Sequence, residues 1–130
     1  MIESSQLKQD SDGQWWVLIK PHLEVFFETC NNRPSEIELN IANLALAEIN
    51  QLIQQAIEYI DIWVDRTREG TGTEYELHSL YVIPEGQTKL QFHFVADEGS
   101  QWWVLFNNPT APYVGGKPKY WPVAFGRNQN

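Results

Sequence analysis

EIELNIANLALAEINQLIQQAIEYIDIWVDR, residues 36–66, decides how this chain folds. Apolar side chains recur three or four positions apart, at Ile41, Ala45, Ile49, Leu52, Ile53, Ala56, Ile57, Ile60, Trp63 and Val64. That is the spacing of one helix face. At about 100° per residue they fill an arc of about 160°, wide enough to lie across a sheet. The opposite stripe holds Asn43, Asn50, Gln51, Gln54, Gln55, Glu58, Asp61 and Asp65, and no Pro or Gly interrupts the run. The pattern predicts one long amphipathic helix.

Its end is better marked than its beginning. Arg66 and Arg68 suit the negative end of the helix dipole, and Gly70 and Gly72 stop the run. At the start, Ser35 and Glu38 have capping-box spacing, which begins the helix at Glu36. Against this, Leu39 falls outside the apolar arc. Ile37, Leu39 and Ile41 also alternate with Glu36, Glu38 and Asn40 as a strand would, leaving Asn40 to cap a later start. The early start is preferred, and residues 36–40 remain open between helix and strand.

Outward from the helix, the flanks read as strands. Residues 14–20 (QWWVLIK) and 23–30 (LEVFFETC) are aromatic and β-branched, with Pro21-His22 turning the chain between them. In the second, Leu23, Val25 and Phe27 share one face, and Glu24, Phe26 and Glu28 the other. Residues 73–83 and 89–95 form the next hairpin. Setting Ile83 opposite Thr88 pairs Tyr81 with Leu90, Ser79 with Phe92 and Leu77 with Phe94, and pairs His78 with His93 on the other face. Residues 101–106 and 120–125 complete the set, and Pro122 confines the last strand to an edge. The order β-β-α-β-β-β-β implies an α+β fold: an antiparallel sheet of five to six strands with one long helix on one face. The 130 residues suit a single domain, 1–130, with residues 1–13 as a loosely attached leader.

Composition narrows the function classes. A net charge of −8 argues against phosphate-backbone recognition. No apolar run approaches the ~20 residues of a membrane span, and the polar N-terminus has no signal-peptide core. Cys30 is the only cysteine, which excludes an internal disulfide and a multi-cysteine zinc site. Together these features lead us to expect a cytoplasmic protein. The charge is unevenly spread. Between Pro34 and Asp65 stand Glu36, Glu38, Glu48, Glu58, Asp61 and Asp65 without a basic residue, whereas Lys117, Lys119 and Arg127 stand without an acid beyond Gly99. Such a distribution either keeps the protein dispersed or steers an acidic helix face toward a basic partner.

The word QWWVL occurs twice, at 14–18 and 101–105, each time after an acid and a glycine. From the first Trp onward every residue is apolar, so both faces of these strands carry bulk, yet one helix covers one face. The second face therefore calls for cover from the Pro-rich loop 107–119, a second subunit, a partner or a ligand. The aromatic set Trp15, Trp16, Trp102, Trp103, Tyr113, Tyr120 and Trp121 serves equally as core, as ligand platform or as interface anchors.

Few residues suggest chemistry. His78 and His93, with Glu76 on the same face, resemble a divalent-metal pair, although two histidines are fewer than most sites use. Cys30 with His22 nearby across the hairpin is a nucleophile candidate, set against the structural role that a single Cys at a strand end usually has. No GxSxG, P-loop or GxGxxG is present, so no enzyme and no cofactor are expected. In size, acidity, single cysteine and helix-on-sheet layout, the whole chain resembles the small bacterial immunity proteins that block polymorphic or contact-dependent toxins. The resemblance implies one-to-one inhibition of a toxin domain, often a nuclease with a basic cleft. It carries over no functional residue. In that setting Glu58, Asp61 and Asp65 are the expected charge partners, with Trp102, Tyr113 and Trp121 as anchors. The competing expectation is a ligand-binding domain or homodimer that uses the aromatic second face.

Overall fold

Alternating apolar residues set the two faces of a mixed sheet. The computed structural model describes residues 1–19, 22–29 and 32–129. Among them are β1 (Lys8–Gln9), β2 (Trp15–Ile19), β3 (Leu23–Phe27), α1 (Glu36–Ala47), α2 (Ile49–Trp63), α3 (Arg66–Glu69), β4 (Tyr75–Ile83), β5 (Gln87–Phe94), β6 (Ser100–Asn107) and β7 (Trp121–Gln129). The architecture is α+β, with seven strands ordered β1 to β7 in one sheet.

The expected all-antiparallel sheet is corrected at one seam, where β3 and β4 run parallel, with Val25 beside Leu80 and Phe26 beside Tyr81. The physical reason is the helical stretch itself. Lying along the sheet, it returns the chain to the end where β3 began, which is the crossover a parallel pair requires.

The single long helix is corrected to two. Ser35 caps α1 as expected: its Oγ accepts the Glu38 N–H at 3.2 Å, and the Glu38 carboxylate accepts the Ser35 N–H at 2.9 Å. At Glu48 the backbone leaves helical geometry (φ −106°, ψ 19°), and its N–H is shared between the Leu44 and Ala45 carbonyls. The bend lets α1 lie against β4 while α2 reaches β5 and β7 of a twisted sheet. α1 buries Leu39, Ala42 and Ala45, and α2 buries Leu52, Ile53, Ala56 and Ile60.

The N-terminal segment is not a loose leader. Ile2 and Leu7 are buried in the core, and β1 pairs with β2. Asn43 fixes the segment by accepting the Ile2 N–H at 2.7 Å and donating to the Ile2 carbonyl at 3.1 Å. Part of the helix's polar stripe is thus structural. Gln55 likewise donates to the Tyr120 carbonyl at 3.0 Å.

The β4–β5 pairing differs by one residue from expectation. Ile83 faces Gln87, so the connection is a three-residue loop with Glu85 and Gly86 at positive φ. Leu80 then faces Leu90 and Val82 faces Thr88, while a bulge between Leu77 and Ser79 brings Leu77 opposite Phe92. The last strand is longer than expected, reaching Gln129. It lies at the sheet edge, where Pro122 belongs.

Candidate functional site

Each QWWVL strand sends one tryptophan to each face. In β6, Trp102, Val104 and Phe106 point into the core and Trp103 and Leu105 point away. In β2, Trp15 packs against the core on the helix side, and Trp16 and Leu18 lie on the other face. The expected anchor Trp102 is therefore corrected. It is 1 % exposed, edge-on to Phe94, with its indole N–H donating to Asp97 at 3.2 Å and Arg127 stacked 4.9 Å above it. A partner cannot reach it.

The acidic residues fare unequally. Glu58 is exposed and accepts from Gln54 at 3.2 Å. Asp61 is clamped by Arg66 through two bonds of 2.6 and 3.2 Å, and Asp65 caps α3 through the Arg68 N–H. Arg66 also donates to the Gly72 carbonyl at 2.9 Å and lies 4.8 Å over the Phe94 ring. Much of the Asp61 charge is consequently answered from within, whereas Glu58 and Asp65 have no ion pair among the described residues.

Beside these acids stands a feature that periodicity conceals. Trp63 belongs to the predicted apolar arc, yet it is 65 % exposed, and its neighbour Ile62 is 70 % exposed. α2 ends at Trp63 and Val64 turns extended, while the Arg66 guanidinium covers the end of the core at Phe94. Trp63, Asp61, Asp65 and Thr73 line an open groove of about 780 Å³. Tyr113 and Trp121 do not join them. They line a second groove with Pro112, Lys117 and Lys119, where Trp121 is 56 % exposed with the Lys119 ammonium 4.8 Å over its ring.

The sheet face away from the helices has no covering element among the described residues. One row crosses all seven strands on it: Lys8, Trp16, Phe26, Tyr81, Lys89, Leu105 and Ala124 are successive cross-strand neighbours. Phe26 stacks on Tyr81 at 5.0 Å, Lys89 sits 4.4 Å over the Tyr81 ring, and Lys8 sits 5.6 Å from Trp16. The next row holds Leu18, Glu24, Ser79, Gln91, Trp103 and Gly126. Gly126 is required there, because a Cβ would stand 2.4 Å from the Trp103 indole. Burial pushes the Tyr81 phenol up, and the carboxylates of Glu28 and Glu24 add to the effect.

His78 and His93 do meet, although the pairing that predicts it is wrong. His93 faces Glu76 in the register, and the bulge at His78 returns that ring to its side. Their centroids are 4.7 Å apart, and His78 Nε2 and His93 Nδ1 share a hydrogen bond. The Glu76 carboxylate lies 3.6 Å from His93 Nε2. The two facing nitrogens bind each other rather than converge on a common point, and no group of three or more metal-binding side chains occurs among the described residues. Cys30, the other chemical candidate, lies outside the described residues.

Burial, reinforced by His93, lowers the His78 pKa below its ordinary 6.5, with Glu76 and Glu24 opposing. The unfolded chain therefore takes up this proton first as pH falls. The stability gained from a neutral His78 is complete above pH 6.5 and is lost progressively below it. In urea titrations, His78→Gln is expected to lose less stability than the parent protein on going from pH 7 to 5, given that histidine titrates near 6.5. Equal losses in both proteins would exclude this role.

No family model matches the chain, and neither does any curated protein or solved structure. Among the described residues no helix is long and apolar enough to cross a membrane.

Proposed function

We propose that this chain is a non-enzymatic protein-binding module whose contact is the C-terminal end of α2. The observation that carries the reading is the pair Ile62 and Trp63, exposed side by side next to Asp61 and Asp65, with Glu58 one helical turn before Ile62 on α2. Large apolar side chains ringed by polar groups are the anatomy of an interface, and tryptophan is favoured among its anchors. The carboxylates of Glu58 and Asp65, which have no ion pair among the described residues, favour a partner with a basic surface and speed the encounter. An immunity protein that occupies the basic cleft of a toxin domain, one to one, has these requirements. Tyr113 and Trp121, beside Lys117 and Lys119, belong to a different rim and do not share the charge preference.

The test immobilises the chain, captures a partner from the source organism and measures its kinetics. Trp63→Ala is expected to weaken binding about 30-fold or more, the scale of a hot-spot truncation, with the thermal melt unchanged. Glu58→Gln with Asp65→Asn is expected to slow association and flatten its salt dependence while leaving dissociation nearly unaltered. A partner that holds Trp63→Ala as tightly as the parent would refute the assignment.

A further inference from the structure

The sheet face opposite the helices carries a charge pattern that complements itself. Phe26 lies at its centre. Along the row, Lys8 and Lys89 stand two strands to either side of Phe26. Along β3 and its continuation, Glu24 and Glu28 stand two residues below and above it, on the same face by the alternation of the strand. With strands about 4.8 Å apart and a rise of about 3.3 Å per residue, the lysine Cα positions lie about 10 Å from Phe26 along one axis, their side chains folded back over the Trp16 and Tyr81 rings. The glutamates lie about 7 Å from it along the perpendicular axis. Two positive and two negative groups thus form a cross around an aromatic centre of Trp16, Phe26 and Tyr81.

We infer that a second copy of this chain docks on this face, sheet against sheet, with the strands of the two copies crossing near 90°. A two-fold axis lying in the interface, along either diagonal of the cross, exchanges the lysine arm with the glutamate arm. Each lysine of one copy then faces a glutamate of the other, four pairs in all, while the central rings meet their counterparts. Orthogonal crossing is one of the two ordinary ways in which sheets pack face to face. An aligned crossing sets lysines near lysines and glutamates near glutamates, which costs energy. The layout also matches the anatomy of an interface, an aromatic centre within a charged rim. Leu18, 56 % exposed in the next row, gains cover in the same arrangement. This surface lies on the far side of the sheet from α2, so the proposal does not depend on the partner-binding reading.

Sedimentation equilibrium at micromolar concentration tests it with three samples. The parent protein is expected at twice the 15.1 kDa chain mass. Lys8→Glu with Lys89→Glu leaves four carboxylates in the cross, and Glu24→Lys with Glu28→Lys leaves four lysines. Each variant alone is expected at the mass of one chain, because like charges then face each other. An equimolar mixture of the two is expected to return to twice that mass, since either diagonal now sets lysine against glutamate. Recovery on mixing also shows that each variant is folded. A parent protein at the mass of one chain overturns the proposal whatever the variants do. So does a pair of variants that stay dimeric alone, or a mixture that stays monomeric.

Discussion

Trp102→Ala is expected to lower the free energy of unfolding by about 3–5 kcal/mol, as truncation of a buried tryptophan does. The side chain is buried against Phe94, so its removal opens a cavity that rigid neighbours in β5 and β6 cannot fill. Its loss also takes the indole N–H from Asp97 and the stacking surface from Arg127, which itself bonds Asp97 at 2.9 Å and Glu69 at 3.1 Å. The informative control is the adjacent residue. Trp103 is the same side chain one position on, facing the uncovered side, and Trp103→Ala is expected to cost well under half as much in the same urea titration. Equal costs would mean that the faces of β6 are reversed.

Phe92→Ala is expected to cost a similar ~3–5 kcal/mol. Phe92 is fully buried on β5, faces Leu77 across the bulged pairing and meets Phe94 edge to face at 5.6 Å. Leu80 sharpens the test, because it separates the observed pairing from the slipped one. In the structure Leu80 faces Leu90 and is fully buried, so Leu80→Ala is expected to cost about 2–5 kcal/mol. In the slipped pairing it lies opposite Gln91 on the other face, and its truncation is nearly neutral. Unfolding midpoints of the two variants, taken together, decide the register.

Local signals were the legible ones. The capping box at Ser35 and Glu38 marks the start of α1 because its bonds join residues three apart. Pro122 places β7 at an edge because a missing N–H rules out a central strand. Tertiary facts were not legible. No Gly or Pro announces the bend at Glu48, which answers to the shape of the sheet beneath it. The parallel seam follows from the direction in which the helices lie, and hydrophobic spacing is blind to direction. Ile2 and Leu7 are too isolated within a polar segment to signal the burial they find. At the candidate site, the acids Glu58, Asp61 and Asp65 could be read from the chain. Their apolar neighbour Trp63 has the spacing of a core residue, because period alone does not say where a helix stops or that Arg66 will cover Phe94 in its place.

The seam between β3 and β4 has a consequence for how the protein assembles. On its N-terminal side, β1 to β3 are joined by neighbouring antiparallel pairs, and on its C-terminal side so are β4 to β7. Each half can zip up through contacts close in sequence. The seam cannot, because α1, α2 and α3 lie between its two strands and their loop must close before Val25 meets Leu80. Loop closure is an entropic toll levied before the contact rewards it, so the seam joins late on the folding path. Until then the unpaired sides of β3 and β4 are open strand edges, and these are where a folding chain of this kind is most exposed to pairing with its neighbours.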